Sequence, residues 1–198
     1  MPGRFIVFEG GEGAGKTTVS RLVADRLAAQ GVAHINVREP GGTPAGEQLR
    51  QLLHGDLSPW GEVFAFLLAR AEHVDRVIRP ALEDGKLVLC DRFTMSTLAY
   101  QGYARGLDLD ILRQADAAAT GGLAPDLTVF IDVPPDIGLK RKLGEGDTVR
   151  TGKEGIAFHH KVYEGYKTLV AEAAEAAVTV DGTQVLDAVA EDVWAVIR

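Results

Sequence analysis

Short runs that are apolar almost throughout alternate along this chain with longer stretches in which apolar residues recur every three or four positions. The first pattern reads as buried strand and the second as helix. Phe5-Ile6-Val7-Phe8 is the first such run. A helix is expected from Lys16 to about Gln30, with Val19, Leu22, Val23 and Leu27 at helical spacing and Gly31 as its stop. Further strands are expected over 33–37, 86–90, 127–133 and 178–180. Helices are expected from the Thr43 cap to about His54, from the Ser58 cap to about Asp84, and over 95–103, 108–120, 137–143, 156–176 and 184–197. Strands that are apolar along their length and separated by helices imply a parallel sheet covered on both faces. The predicted fold is therefore α/β, a three-layer arrangement with a five-stranded parallel sheet flanked by helices. In such sheets ligands bind beyond the C-terminal ends of the strands, so the residues found there carry the functional reading.

After the first strand comes FEGGEGAGKTT, residues 8–18. Gly10, four residues, then Gly15-Lys16-Thr17 is the phosphate-binding loop pattern, with a strand before it and a helix after it. Its glycines let backbone N–H groups converge on phosphate oxygens, and the helix adds its positive end. Lys16 would reach the outer phosphates, and the Thr17 hydroxyl would ligate Mg2+. After the third strand comes Asp91-Arg92. The acid stands where a group holding Mg2+ through water is expected. The arginine can stabilise a transferring phosphoryl group or clamp an acceptor phosphate. Arg38-Glu39-Pro40 follows the second strand and reads equally as ligand-binding or as an ion pair. Asp132 follows the fourth and reads as a second acid for the Mg2+ region or, preferred, as a cap for the helix after Pro134. Phe66 and Arg70 stand one turn apart on the long helix, a stacking ring and a guanidinium on one face.

The chain has 198 residues, a length that fits one domain, 1–198. Its net charge of -7 lacks the basic footprint of a nucleic-acid binder. No apolar run approaches the length of a membrane span, and MPGRFIVFEGG is not a secretory leader. Cys90 is the sole cysteine, which suits a reducing compartment and a small buried hydrophobe. The five histidines show no metal-ligand spacing, and His159-His160 reads as non-catalytic. One basic island stands out. Lys140, Arg141, Lys142, Arg150 and Lys153 face only Glu145 and Asp147 within 140–153. That is either a solvated loop or one that meets anions.

These stretches together resemble thymidylate kinase, of the nucleoside monophosphate kinase group. The resemblance runs through FEGGEGAGKTT, REPGGT at 38–43, LLARAEHV at 67–74, DRFTMSTLAYQGYARG at 91–106, PDLTVFIDVPP at 125–135, FHHKVYEGY at 158–166 and VDGTQ at 180–184. It implies a P-loop NTPase fold, a homodimer in the cytoplasm, and transfer of the ATP γ-phosphoryl group to dTMP with Mg2+. It implies that Gly10, Gly11, Glu12, Gly13, Ala14, Gly15, Lys16, Thr17 and Thr18 hold ATP phosphates, and that Glu12 lies near the dTMP sugar. Arg38 and Pro40 would line the dTMP pocket, Phe66 would stack on thymine and Arg70 would recognise the base edge. Asp91 and Arg92 would organise Mg2+ and the acceptor phosphate. Thr97, Tyr100 and Gln101 would contact the nucleoside, with Tyr100 crowding the 2' position, and the VDGTQ loop would pack by the adenine. The basic island becomes a lid at about 142–154. Because the P-loop carries no arginine, the resemblance gives that charge to Arg150. Here the sequence departs from the family, whose lid often reads Asp-Arg-x-Glu; this one reads Val149-Arg150-Thr151-Gly152.

Two other readings compete. A P-loop kinase for another nucleotide or a deoxynucleoside would differ in its acceptor pocket. A nucleoside acceptor needs a base and no phosphate clamp, and the cations Arg38, Arg70 and Arg92 favour a monophosphate. The other is a GTPase-type switch or a non-catalytic nucleotide-binding module; a GTPase should carry an Asn-Lys-x-Asp motif, which is absent from the sequence.

Overall fold

The computed structural model describes residues 3–53, 55–143 and 154–198. Strands β1 (Arg4–Glu9), β2 (His34–Arg38), β3 (Leu87–Asp91), β4 (Leu127–Asp132) and β5 (Ala177–Asp181) form one sheet in the order β2-β3-β1-β4-β5. Every pairing is parallel. The helices are α1 (Lys16–Ala29), α2 (Pro44–Leu52), α3 (Pro59–His73), α4 (Arg79–Glu83), α5 (Thr94–Thr97), α6 (Leu109–Thr120), α7 (Pro135–Leu143), α8 (Ile156–Ala173) and α9 (Leu186–Ile197).

Successive strand side chains point to opposite faces, and the core divides accordingly. Ile6, Phe8, Leu89, Val129 and Ile131 pack under Val19 and Val23 of α1 and Val193 and Trp194 of α9. Phe5, Val7, Val88 and Cys90 face the other way, against Val74, Ile78 and Phe93. Phe130 meets Val162, Tyr166 and Leu169 of α8 together with Leu67 and Leu112. The predicted layers are present, and Cys90 is buried, its thiol donating to the Arg92 carbonyl oxygen at 3.2 Å.

Each strand ends on a charged residue: Glu9, Arg38, Asp91, Asp132 and Asp181. The register sets Asp91 level with Phe8 of β1 and Arg38 of β2. The phosphate-binding loop, which leaves β1, and the Asp91-Arg92 pair, which leaves β3, therefore emerge side by side. Thr43 and Ser58 cap α2 and α3 as predicted, accepting from the N–H groups of Gly46 and Gly61. Such caps are each worth about 1 kcal/mol.

Three expectations change. The stretch from Ser58 to Asp84 is not one helix, because a π-helical segment, Val74–Ile78, separates α3 from α4. Pro80 supplies the reason: it has no N–H for the carbonyl of Arg76, and its ring crowds that turn, so the helix widens there. The helix expected over 95–103 is α-helical only over α5, and then runs as a second π segment, Leu98–Ala104. Its wider turn closes with the Arg105 N–H on the Tyr100 carbonyl at 3.1 Å. Asp132 does not cap α7. The helix starts at Pro135, and the carbonyl of Pro134 takes the Ile137 and Gly138 N–H groups, both at 3.0 Å. The Asp132 carboxylate stands two positions too early; burial, and then this carboxylate, raise the pKa of the neighbouring Tyr163 phenol to about 12.

Candidate active site

The phosphate-binding loop turns through Gly10, Gly13 and Gly15 at φ 150°, 69° and 89°, angles that favour glycine. At Gly13 the reason is also space. A Cβ there would run into the carbonyl oxygen of Gly138, and one on Gly138 would run into the carbonyl oxygen of Glu12. Helix α7 thus rests its backbone directly on the loop. Lys16 opens α1 and folds back, its Nζ donating to the carbonyls of Gly10 at 2.9 Å and Gly11 at 2.8 Å. Burial, with Arg92 nearby, pulls its pKa down to about 8. The Thr17 hydroxyl donates to Asp91 Oδ2, while Asp91 Oδ1 is buried without a hydrogen-bond partner among the described residues.

Arg92 has φ 73°, a left-handed conformation that costs a non-glycine residue about 1 kcal/mol. Glu9 holds that turn in place. Its Oε1 accepts the N–H groups of Phe93 at 2.9 Å and Ser96 at 3.1 Å, and its Oε2 takes the Ser96 and Tyr166 hydroxyls at 2.7 and 2.9 Å. Burial raises the Glu9 pKa, opposed by these donors and by Arg92. The turn aims the Arg92 guanidinium at Glu12, with Nη2 3.0 Å from Oε1, and over the Tyr100 ring at 5.2 Å. Glu12 also accepts the Tyr100 hydroxyl at 3.1 Å and Lys142 Nζ at 2.8 Å. Burial opposes its ionisation, but Arg92, Lys16 and Lys142 hold its carboxyl well below the usual carboxylate range.

Arg70 is fully buried and forms part of the wall of the same cleft. Its Nε donates to Glu39 Oε2 at 2.8 Å, Nη1 to Thr97 Oγ1 at 3.0 Å and to Asp116 Oδ1, and Nη2 to the Phe93 carbonyl at 3.0 Å. Four of its five N–H donors are engaged inside the protein. Two flanking carboxylates also raise its already high pKa against the pull of burial. Phe66, one turn earlier on α3, lines the same cleft, as do Thr97, Tyr100 and Gln101 from the α5 and π turns. Gln101 Nε2 donates to Glu62 Oε1 at 3.2 Å. Glu62 Oε2 lies 3.2 Å from Arg105 Nε, and Arg105 in turn holds Glu154 at 2.8 Å. At the opposite end, Arg141 donates to the carbonyls of Gly182 at 2.8 Å and Thr183 at 3.2 Å, joining α7 to the loop after β5.

These groups share one cleft of 860 Å³. It brings together Glu12 to Thr18, Arg38, Pro40, Phe66, Arg70, Asp91, Arg92, Thr97, Tyr100 and Gln101. Gly10 and Gly11 are not on its wall; they meet Lys16 through their carbonyls. Arg150 lies outside the described residues.

A comparison with family models matches residues 8–193 to thymidylate kinase. The chain belongs to the thymidylate kinase family. It is 48% identical over 197 residues to a thymidylate kinase of Synechococcus sp. (strain JA-3-3Ab), covering 98% of this chain and 95% of that protein. It is 48% identical over 196 residues to one of Thermomicrobium roseum, covering 98% and 93%. The crystal structure of thymidylate kinase from Ehrlichia chaffeensis superposes with a TM-score of 0.82 at 31% identity, over the whole of both chains. The family's members are P-loop kinases, which agrees with the loop, Lys16 and the strand order around them.

Sequence reasoning missed the residues that hold the site from behind. Glu9 was visible as an acid closing a buried strand, the same signal that singled out Asp91. Asp116 and Glu62 carry no local signal, because their partners lie 46 and 39 positions away; Glu39, read as a ligand group or part of an ion pair, is buried and pairs with Arg70, 31 positions on. His159, read as non-catalytic, is buried on the wall of the cleft with Nε2 unpartnered among the described residues.

Proposed function

We propose that this protein transfers the γ-phosphoryl group of ATP to dTMP, giving dTDP and ADP, as a step in dTTP synthesis. The observation that carries the reading is the cleft itself. The phosphate-binding loop, Arg92, and the Phe66, Arg70, Thr97, Tyr100 and Gln101 side chains all line it. The relatives that bear the name thymidylate kinase match the chain almost end to end.

In this reading the loop and Lys16 take the ATP phosphates. Lys16 is held by two backbone carbonyls and is desolvated, which favours an anion beside it. The acceptor is a phosphate oxyanion and needs no base to become a nucleophile. Arg92 offsets its charge and sets it in line, and phosphoryl transfer depends chiefly on such positioning and charge stabilisation. Glu12 lets go of part of Arg92 when the acceptor phosphate arrives and turns to the sugar. Phe66 stacks on the base. Arg70 reads the base edge with its one remaining N–H; a guanidinium already flanked by two carboxylates is poorly suited to clamp a phosphate. Arg38 and Pro40 close the pocket, Thr97 contacts the nucleoside, and Tyr100 stands against the 2' position. The adenine lies by Arg141 and the loop at 182–184. Arg150 supplies the cation that the P-loop lacks.

Thr17 and Asp91 would hold Mg2+, since Asp91 keeps a buried carboxylate oxygen unpartnered among the described residues beside the phosphate loop. The described residues contain no cluster of three or more His, Cys, Asp or Glu for a metal. This suits an ion that takes most of its ligands from phosphates and water. When bound, Mg2+ would neutralise the charge developing on the phosphoryl oxygens.

We also place the enzyme in the cytoplasm as a homodimer. Phe64 and Leu68, one turn apart on α3, are 61% and 51% exposed, which supports a covered face there. No described helix is long and apolar enough to cross a membrane.

The test is to incubate the purified protein with Mg-ATP and, separately, dTMP, dUMP, UMP, CMP, AMP or thymidine, and to measure the phosphorylated product. Strong preference for dTMP is expected. Preference for a ribonucleotide would overturn the roles of Phe66, Tyr100 and Gln101, and transfer to none of them would overturn the kinase reading for this chain.

A further inference from the structure

Gln101 ends in an amide whose two halves have opposite hydrogen-bonding character: the oxygen accepts and the nitrogen donates. Turned one way, such a group matches one pyrimidine; turned over, it matches the other. Thymine presents an N3–H donor beside the O4 acceptor. Cytosine presents an N3 acceptor beside a 4-amino donor. The orientation of this one amide therefore carries selectivity, and in this fold something sets it.

Gln101 is 3% exposed, and its Nε2 donates to Glu62 Oε1 at 3.2 Å. Glu62 is equally buried, and its other oxygen faces Arg105 Nε at 3.2 Å. Arg105 is fixed by Glu154 at 2.8 Å and by the Phe158 ring beneath its guanidinium at 5.1 Å. A carboxylate paired in this way only accepts. It can face the amide nitrogen and not the amide oxygen, because two acceptors at that distance in a buried setting repel. The Gln101 oxygen is thereby left to the cleft that Gln101 lines. Arg70 supports the same choice, since its remaining N–H can donate to O4 and would confront a 4-amino group donor to donor.

We propose that Glu62 is a positioning residue that fixes the Gln101 amide with its oxygen toward the base, and so makes the pocket select thymine over cytosine. Arg105 holds Glu62 in the position that does this. The inference rests on the proposed function, in that the acceptor is a pyrimidine monophosphate.

The experiment compares wild type with Glu62→Gln, measuring kcat and KM for dTMP and for dCMP with Mg-ATP saturating, alongside thermal melting. A glutamine at 62 either accepts or donates, so the Gln101 amide is free to turn over. The expected result is a fall in the dTMP-to-dCMP ratio of kcat/KM by about 10–100-fold, with KM for dTMP rising more than kcat falls. A structural role alone would lower both activities together and leave their ratio unmoved. A folded Glu62→Gln protein that turns over dTMP with the wild-type ratio overturns the proposal, while absence of dTMP turnover in wild type overturns the proposed function instead. If Glu62→Gln does not fold, Glu62→Ala is read in the same way. Competition against dTMP by N3-methyl-dTMP is measured on wild type in either case. An analogue without the N3–H that competes as well as dTMP overturns the proposal, and tenfold or weaker competition supports it.

Discussion

Arg92 and Glu12 meet at 3.0 Å across the middle of the cleft, one from the turn after β3 and the other from the loop after β1. The contact exists because Arg92 is held in a left-handed conformation at φ 73°, with Glu9 gripping the residues that follow it. Strain in the backbone here aims a charge.

That geometry separates what the side chain does from what the backbone costs. Arg92→Ala and Arg92→Gly are both expected to lose about 1,000-fold or more in kcat for dTMP. The glycine variant should be the more stable of the two by about 1 kcal/mol, since glycine adopts this φ freely and alanine does not. Initial rates and melting curves decide it. Near-normal turnover in Arg92→Ala would mean that the assigned mechanism is wrong.

Lys16 gives a pH dependence with a definite sign. Its pKa falls from 10.5 to about 8 because burial disfavours the ammonium. Below pH 8 the folded protein bears the full cost of that charge, and the cost disappears as pH climbs toward 10.5, so this group's contribution to stability improves over that window. Activity runs the other way. In the free enzyme kcat/KM for ATP should decline above about pH 8 as the ammonium is lost. The kcat profile should hold to higher pH, because bound phosphates favour the charged form. Lys16→Ala should abolish turnover and leave a folded protein, checked by rate and circular dichroism.

Gly138→Ala tests the contact between α7 and the phosphate loop. The added methyl group meets the Glu12 carbonyl oxygen, a backbone atom with no side-chain freedom to yield. A loss of about 1–3 kcal/mol in stability is expected, together with a KM for ATP that rises more than the KM for dTMP. Unchanged ATP affinity would show that the loop absorbs the shift.

Arg150→Ala should lower kcat far more than it weakens dTMP binding, by about 100-fold or more in rate. Steady-state rates and isothermal titration with dTMP separate the two effects. An unchanged rate would point to Lys142, whose ammonium already reaches Glu12 at 2.8 Å, or to Arg141.

Much of this was legible in the sequence for a physical reason. Buried parallel strands must be apolar throughout, so their ends show as the first charged residue, and Asp91 and Arg38 stood out on that ground. A phosphate loop must be rich in glycine. The strand order is not written locally, since β1 pairs with β3 and β4 across long separations. The π segments were hidden because apolar spacing of three and four does not distinguish a widened turn from an ordinary one; Pro80 was the visible clue to the first. Asp116 was unreadable because an acid on a helix looks the same whether it meets water or a buried guanidinium, and Glu39 showed only as a charged residue after β2 whose partner could not be named. Asp132 misled because its place before two prolines suits a cap, while the chain gives that place to Pro134.

The widened turn at Leu98–Ala104 carries a consequence for remodelling. Thr97, Tyr100, Gln101 and Arg105 all line one cleft, and the widened turn between Thr97 and Arg105 sets how they are spread around it. Deleting a single residue within it would restore ordinary helical pitch, leave the chain beyond the turn in its present phase, and move the residues inside the turn relative to Thr97. One codon's length, rather than any change of side chain, therefore separates this acceptor pocket from a differently lined one.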